Sequence, residues 1–400
     1  MNPATALLLS IAIVLVLLRF RLQLGAAILV GSLVLALFFL PPVEIPRAMA
    51  GTLTSTATLR LLAIVICALT MSHIMDTRGH LALLASALES IGPKVAIHVV
   101  PAAIGLIPLP GGAVVSAAAT KDLARRLGLA PAQEAFINYW FRHVCDFASP
   151  LNPGIILTGV LLAAPLSFVL IHIAPIWMLM VSAGVVLSSR ILRSPPLPSP
   201  TESSLTSVAE KLLRSTWPIA LVFTLVIAGL DAAPAFLVTV LALMAQQRMP
   251  FFEVKAALKH GFSPKIVFML CSVMFFKAVV EASGVAQSLY AEMQATSMPP
   301  IAILMALPFL IGLSTGLSSA MVGIAIPLVT PFILAGGDVS GMALMLAYGC
   351  GGLGHLLSPL HPCLVLSTEY LKARLVDVYS YLLPPAAVML AGTTLIYLFL

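Results

Sequence analysis

Long apolar runs dominate the chain. Examples are Ala4–Phe20, Leu24–Leu40, Trp217–Leu230 and Tyr379–Leu400, each long enough, or nearly so, to cross a hydrocarbon core of about 30 Å as a helix. The sequence has no ten-residue segments with strand-like alternation of apolar and polar positions, which argues against a membrane barrel. The pattern therefore predicts an all-α polytopic membrane protein.

Composition and charge agree with this pattern. The hydrophobic fraction is 60% and the charged fraction 9%, whereas a soluble domain has about a quarter of its residues charged. The formal charge of +6 comes from basic residues at the ends of apolar runs, so we expect the lipid bilayer and not nucleic acid as a partner. The five cysteines lie in apolar segments without paired spacing, which predicts neither a disulfide framework nor a structural metal site.

The chain contains two copies of one unit. Ile104-Gly105-Leu106 matches Ile311-Gly312-Leu313, and Ser149-Pro150-Leu151-Asn152-Pro153 matches Ser358-Pro359-Leu360-His361-Pro362. These matches follow the same order along the chain at offsets of 207 and 209, as a repeat requires. We therefore predict a first repeat over residues 1–193, a polar cytoplasmic linker over 194–212 and a second repeat over 213–400.

Each unit contains an apolar segment that is broken in its middle, Val95–Thr120 in the first and Ile301–Leu334 in the second. Its arms are short for a full crossing, and irregular backbone at that depth is tolerated only where it is buried in protein or lines a wet cavity. We therefore predict re-entrant hairpins. A longer span, interrupted at Ser-Pro-Leu-x-Pro, follows each hairpin.

The positions of basic residues predict the topology. Five crossings per unit, with the N-terminus outside, place most of the 21 basic residues in cytoplasmic segments, as membrane insertion favours. Because five is odd, the second unit is inverted relative to the first. The sequence thus predicts about ten transmembrane helices in two inverted five-helix repeats, in the inner membrane of the cell, with both termini on the non-cytoplasmic side.

The breaks predict a binding site. A helix interrupted in the membrane exposes N–H groups that attract an anion and carbonyl groups that coordinate a cation. The alternative is that proline and glycine merely kink the helices. The breaks fall at Pro110–Gly112, Ser149–Pro153, Ser314–Ser319 and Ser358–Pro362. The predicted substrate-binding residues are Gly111, Gly112, Ser116, Ser149, Asn152, Ser314, Thr315, Ser318, Ser319, Ser358 and His361.

Charged residues cluster just before the first break. Arg142, His143 and Asp146 lie within about one helical turn, and His355 is the repeat counterpart of Asp146. A carboxylate inside the membrane is costly unless it is paired or functional. We therefore predict that these four residues form a site for a coupling ion, sodium or a proton. The alternative is a structural ion pair between Asp146 and Arg142 or His143.

Enzyme motifs are missing from the sequence: it has no zinc-binding His-Glu-x-x-His helix, phosphate-binding loop or nucleophile elbow. We therefore predict that the protein is not an enzyme and needs no cofactor beyond a coupling ion.

Two inverted five-helix units, each with a re-entrant hairpin followed by a broken helix, resemble the ion transporter superfamily. That group includes divalent-anion:sodium symporters and citrate, gluconate and arsenite permeases. Leu109-Pro110-Gly111-Gly112 and His361-Pro362-Cys363 are similar to segments of an uncharacterised prokaryotic branch with ten spans. The Ser-Asn-Thr tips of the dicarboxylate carriers are not reproduced here, which argues against a dicarboxylate substrate but not against transport.

The resemblance implies a mechanism and an assembly. Residues 94–193 and 299–400 would form a transport domain, and residues 1–93 and 213–298 a scaffold at a homodimer interface. The transport domain would slide as an elevator. The expected function is secondary active symport of a small organic anion with sodium or a proton. The alternatives are a sodium/proton antiporter without organic substrate, and a membrane enzyme or receptor-like protein.

Overall fold

The computed structural model describes residues 3–20, 22–106, 112–192, 205–335 and 337–399. Almost all of them are helical. Within these ranges, four helices are long and apolar enough to cross a membrane: Thr56–Thr77, Leu166–Ile191, Pro264–Ser283 and Leu375–Phe399. Six apolar helices are shorter. The prediction of a helical membrane protein is confirmed, whereas the number of crossings and the inversion of the units stay predictions.

Within the described ranges, the first unit contains ten helices. They are α1 (Pro3–Arg19), α2 (Leu24–Phe39), α3 (Glu44–Thr54), α4 (Thr56–Thr77), α5 (His80–Glu89), α6 (Pro93–Gly105), α7 (Gly112–Arg126), α8 (Pro131–His143), α9 (Pro153–Leu161) and α10 (Leu166–Ile191). A 3₁₀ turn, Val144–Phe147, continues α8.

The second unit has the same sequence of helices. They are α11 (Leu205–Ile227), α12 (Ala232–Gln246), α13 (Phe251–Gly261), α14 (Pro264–Ser283), α15 (Val285–Ala295), α16 (Pro300–Thr315), α17 (Ser318–Ile333), α18 (Gly341–Leu356), α19 (Pro362–Tyr370) and α20 (Leu375–Phe399). Two short antiparallel strands, β1 (Leu334–Ala335) and β2 (Asp338–Val339), lie between α17 and α18. Of the predicted linker, residues 205–212 belong to α11 and residues 194–204 lie outside the described ranges.

Local sequence explains where the helices begin and end. The Ser55 hydroxyl accepts a hydrogen bond from the backbone N–H of Thr58 and caps α4, and the Asp231 carboxylate caps α12 in the same way. Such side chains satisfy N–H groups that have no partner inside the helix. At the other end, Gly316 adopts a left-handed conformation (φ +64°) and ends α16, a conformation that glycine adopts without steric cost.

The two units pack on each other reciprocally. Helix α2 packs on α14 and α12 on α4; likewise α9 packs on α17 and α19 on α7. Ion pairs Arg60–Asp231 and Arg78–Glu253 join the units. In these four contacts, a helix and its counterpart in the repeat thus pack on equivalent helices of the other unit.

Close approach of backbones fixes the hairpins against the broken helices. A Cβ atom added to Gly105 of α6 would lie 2.0 Å from the carbonyl oxygen of Arg142, and one added to Gly312 of α16 would lie 2.3 Å from that of Gly351. Both distances are far below van der Waals contact, so only glycine permits this packing. The two glycines are equivalent in the repeats, and so are the carbonyl groups they contact.

Candidate functional site

The broken helices meet at the centre of the molecule with the same local geometry. Each break contains a serine whose hydroxyl accepts a hydrogen bond from the backbone N–H two residues later. The distance is 3.2 Å from Leu151 N to Ser149 Oγ and 3.2 Å from Leu360 N to Ser358 Oγ. Both hydroxyls are buried. The repeated Ser-Pro-Leu-x-Pro sequence therefore folds into one turn, twice.

In each unit, a tyrosine hydroxyl donates a hydrogen bond to a backbone carbonyl near the break of the other unit. Tyr139 of α8 donates its hydroxyl hydrogen to the carbonyl of Leu356 at 2.8 Å, and Tyr348 of α18 donates to the carbonyl of Asp146 at 3.1 Å. These are equivalent residues at an offset of 209. Carbonyl groups left without a partner where each helix ends are thus satisfied across the centre of the molecule.

Asn152 makes hydrogen bonds on both sides of the break at Ser149–Pro153. Its Oδ1 accepts hydrogen bonds from Gly154 N at 2.7 Å and Ile155 N at 3.3 Å, which caps α9. Its Nδ2 donates to Asp146 Oδ1 at 3.0 Å. The equivalent His361 makes no cap. Its Nδ1 instead lies 2.6 Å from the carbonyl oxygen of Gly316, at the tip of the second hairpin.

Arg142 points at the first hairpin. A Cβ atom added to Gly112, the first residue of α7, would lie 2.1 Å from Arg142 Nη2, so the guanidinium occupies the space that the absent side chain leaves. Arg142 is 7% exposed, and its Nε has no hydrogen-bond partner. Among the ion pairs of the described residues, none includes Arg142. A buried guanidinium without a counterion is costly, and this one lies at the positive end of a helix.

Asp146 lies beside its own repeat counterpart. Asp146 Oδ2 is 3.6 Å from His355 Nε2, and the carboxylate side chain keeps 20% of its surface exposed. His355 is buried. The alternative from the sequence, an ion pair of Asp146 with Arg142 or His143, is not among the ion pairs found in the described part of the chain.

Three further side chains meet between the breaks. His143 Nε2 is 3.0 Å from His361 Nε2, and one ring nitrogen of each histidine lies within 4.8 Å of Cys363 Sγ. Cys363 was not among the predicted site residues. Its position two residues after His361, in the first turn of α19, is the sequence signal that could have identified it.

Other predicted binding residues use their hydroxyls within their own helices. Ser116 Oγ donates to Ala113 O at 3.2 Å, and Thr315 Oγ1 donates to Ile311 O at 2.8 Å. Ser314 is exposed and donates to Leu310 O. Ser318 and Ser319 are partly buried in the first turn of α17. Gly111 lies outside the described residues. The assignment of these residues to substrate stays a prediction.

The fold and the site define a class: a helical membrane protein of two similar halves, with charged side chains gathered where the two broken helices meet. The chain matches over residues 2–400 the family model described as "Protein of unknown function (DUF401)". It belongs to that family. No curated protein sequence matches the chain.

Among solved structures, the fold is similar to that of the YdaH transporter of Alcanivorax borkumensis, whose crystal structure is described as having an unusual topology. The TM-score is 0.61 over 99% of this chain and 98% of that chain, at 14% sequence identity. The similarity is therefore one of fold over the full length.

Proposed function

We propose that this protein is a secondary active transporter that moves a small organic anion together with a cation, sodium or a proton. The observation that carries the proposal is Arg142. Its guanidinium is permanently charged, is 7% exposed and has no ion-pair partner among the described residues. An anionic substrate group against Arg142 and the first turn of α7 would form the direct ion pair that Arg142 lacks.

The anion site has a carboxylate nearby for the cation. Asp146 is held by Asn152 and keeps part of its surface open. With Asp146 ionised, the charges of Arg142 and Asp146 sum to zero when the site is empty, although the two groups form no direct ion pair. An anion bound alone would then leave one negative charge in a region of low dielectric, so binding a cation with it is favoured. This is the physical basis for coupling.

The boundary between the proposed transport domain and scaffold supports an elevator motion. Cavities of about 390, 560 and 310 Å³ lie on that boundary. The first has α4 and the start of α12 on one side and α9–α10 on the other. The second lies between α10 and α11, and the third lies between α14–α15 and α17. Loose packing along this surface leaves room for one part to slide against the other. The similar fold of a protein described as a transporter agrees with this proposal.

The test is a ligand panel on purified protein in detergent. Small carboxylates and inorganic anions are added with and without sodium at two pH values, and the unfolding temperature is measured. A ligand that binds only the folded state at about 100 times its Kd stabilises it by about 2.7 kcal/mol. Arg142→Met is expected to lose this response, whereas Arg214→Met is expected to keep it, because exposed Arg214 pairs with Glu210 far from the site.

Anions that stabilise the protein are then tested for uptake into proteoliposomes under a sodium or a pH gradient. Uptake that needs a gradient and is lost in Arg142→Met supports symport. Sodium-dependent proton movement without any organic solute would favour the antiporter, for which Asp146 beside His355 is the relevant observation. Turnover of a ligand without flux would indicate an enzyme or receptor. Either result would overturn the proposal.

A further inference from the structure

Backbone carbonyl groups fix the tautomers of three buried histidines. Nδ1 of His143 lies 2.6 Å from Tyr139 O, Nδ1 of His361 lies 2.6 Å from Gly316 O, and Nδ1 of His355 lies 2.8 Å from Gly352 O. A carbonyl oxygen only accepts, so each Nδ1 carries the hydrogen. In a neutral imidazole the other nitrogen, Nε2, is then a bare acceptor.

Two of these bare acceptors face each other. His143 Nε2 and His361 Nε2 are 3.0 Å apart, the distance of a hydrogen bond. Two lone pairs at this distance repel, but one added proton converts the contact into an N–H···N hydrogen bond. We propose that the His143–His361 pair binds one proton between its Nε2 atoms, and that this proton is the coupling ion of the proposed transporter. The role of this proton as the coupling ion rests on the proposed function, whereas its binding by the histidine pair does not.

The groups around the pair set its charge balance. Tyr139 lies beside it on α8, His355 on α18 and Cys363 on α19. Arg142 of α8 is the positively charged group close to both imidazoles, and Asp146 of the 3₁₀ turn lies beside His355. The tip between α16 and α17 contributes the uncharged Gly316 carbonyl.

With Asp146 ionised, the charges of Arg142 and Asp146 sum to zero, so a proton and a monovalent anion bound together leave the site neutral. Either one bound alone leaves a net charge in the membrane. Proton and anion therefore promote each other's binding by the same factor.

A proton fits the pair better than a metal ion does. Ligand atoms around a tetrahedral zinc ion lie about 3.3–3.8 Å apart, so the two nitrogens are too close. Cys363 Sγ is a third donor, but the permanent charge of Arg142 beside it opposes a divalent cation more than it opposes a proton.

Solid-state NMR on 15N-histidine-labelled protein in lipid tests the pair directly. At a pH where solvent-exposed imidazoles are neutral, we expect two coupled Nε2 signals with protonated character. Each single change, His143→Gln or His361→Gln, should remove both. His260→Gln should leave them, because exposed His260 stacks on His73 away from the site. Only bare Nε2 signals in the wild type would overturn the proposal, as would signals that change on chelation together with one bound metal per chain.

Transport measurements separate this proposal from the proposed function. The probe is a monovalent anion that stabilises the wild type in the ligand panel. Its uptake is expected to follow a pH gradient, to ignore a sodium gradient and to be unaffected by a potassium–valinomycin potential, because one proton with one negative charge moves no net charge. His361→Gln should lose the response to the pH gradient. Uptake driven by sodium would overturn proton coupling alone, whereas shared-proton signals without any uptake would overturn the transporter and leave the proton site standing.

Discussion

The break at Ser149–Pro153 (the first break) and the break at Ser358–Pro362 (the second break) have the same backbone geometry but different side chains around them. Their serine turns have the same 3.2 Å hydrogen bonds. At an offset of 209, however, Arg142 corresponds to Gly351 and Asp146 to His355. Arg142 and Asp146 thus both belong to the first break, and the second contributes uncharged backbone and imidazoles. The two breaks share their backbone geometry, whereas the charge of the site comes from one of them.

Packing explains part of this difference. A Cβ atom added to Gly351 would lie 2.4 Å from the sulfur of Met321, because α18 packs closely on α17. The second unit therefore has no room for a long side chain at the position of Arg142. In the first unit the guanidinium occupies the space that Gly112 leaves.

The largest expected effect comes from replacing the carboxylate of the first break, Asp146. In Asp146→His both breaks would carry histidine, and Arg142 would lose the charge that balances it. Removing one of two balancing buried charges costs about 2 kcal/mol or more, equivalent to about 30-fold. We expect at least that loss in gradient-driven uptake of the probe anion, measured in proteoliposomes. His355→Asn, which keeps the carboxylate, is the matched control and should lose less. Equal losses would contradict the assignment of charge to the first break.

The shared backbone predicts equal effects of a second pair of changes. Gly105→Ala and Gly312→Ala each force a Cβ atom against a carbonyl oxygen of the broken helix. Overpacking of this kind costs about 1–3 kcal/mol. We expect similar drops in stability for the two variants, measured by denaturation in mixed micelles of increasing SDS content. Gly51→Ala, where the added atom meets nothing within 4 Å, is the control. A large difference between the two variants would mean that the hairpins are not equivalent.

Helix capping is a second difference between the two breaks, with a smaller expected effect on stability. Asn152→Ala removes the cap of α9 and is expected to cost about 1 kcal/mol. His361→Asn installs the residue of the first break in the second, where no side chain caps α19. It should therefore keep most of the stability while removing the shared-proton signals. The same denaturation assay measures both variants, and a larger loss in His361→Asn than in Asn152→Ala would contradict this expectation.

The smallest expected effect concerns the reciprocal tyrosines. Tyr139→Phe and Tyr348→Phe each remove one hydroxyl that donates to a carbonyl of the other unit. Each is expected to cost about 0.5–1.5 kcal/mol, with the two values close to each other. Tyr290→Phe, whose hydroxyl accepts from exposed Gln294, should cost less than either.

Sequence predicted the features that depend on local chemistry. The apolar runs predicted helices, and the prolines and serines predicted the interruptions at Ser149–Pro153 and Ser358–Pro362, which the structure places between helices. The Asn152-Pro153 sequence is typical of a helix start, and Asn152 does cap α9, because capping involves only neighbours in the chain.

Features that depend on contacts between the units were not predictable from one sequence. The pairing of His143 with His361 spans 218 positions and results from how α8 and α19 pack. The direction of the Arg142 side chain depends on the space left at Gly112. Similarly, the proposed binding role of Ser116 and Thr315 was based on residue type, whereas their hydroxyls bond to their own helices.

The reciprocal packing has a consequence for biogenesis. When the first half emerges from the ribosome, α2 has no α14, α4 has no α12, and the Tyr139 hydroxyl has no Leu356 carbonyl. Helix α4 gains its partner once residue 246 is made, α2 gains α14 once residue 283 is made, and Tyr139 gains its acceptor at residue 356. The contacts between the units therefore become available stepwise as the second half is synthesised.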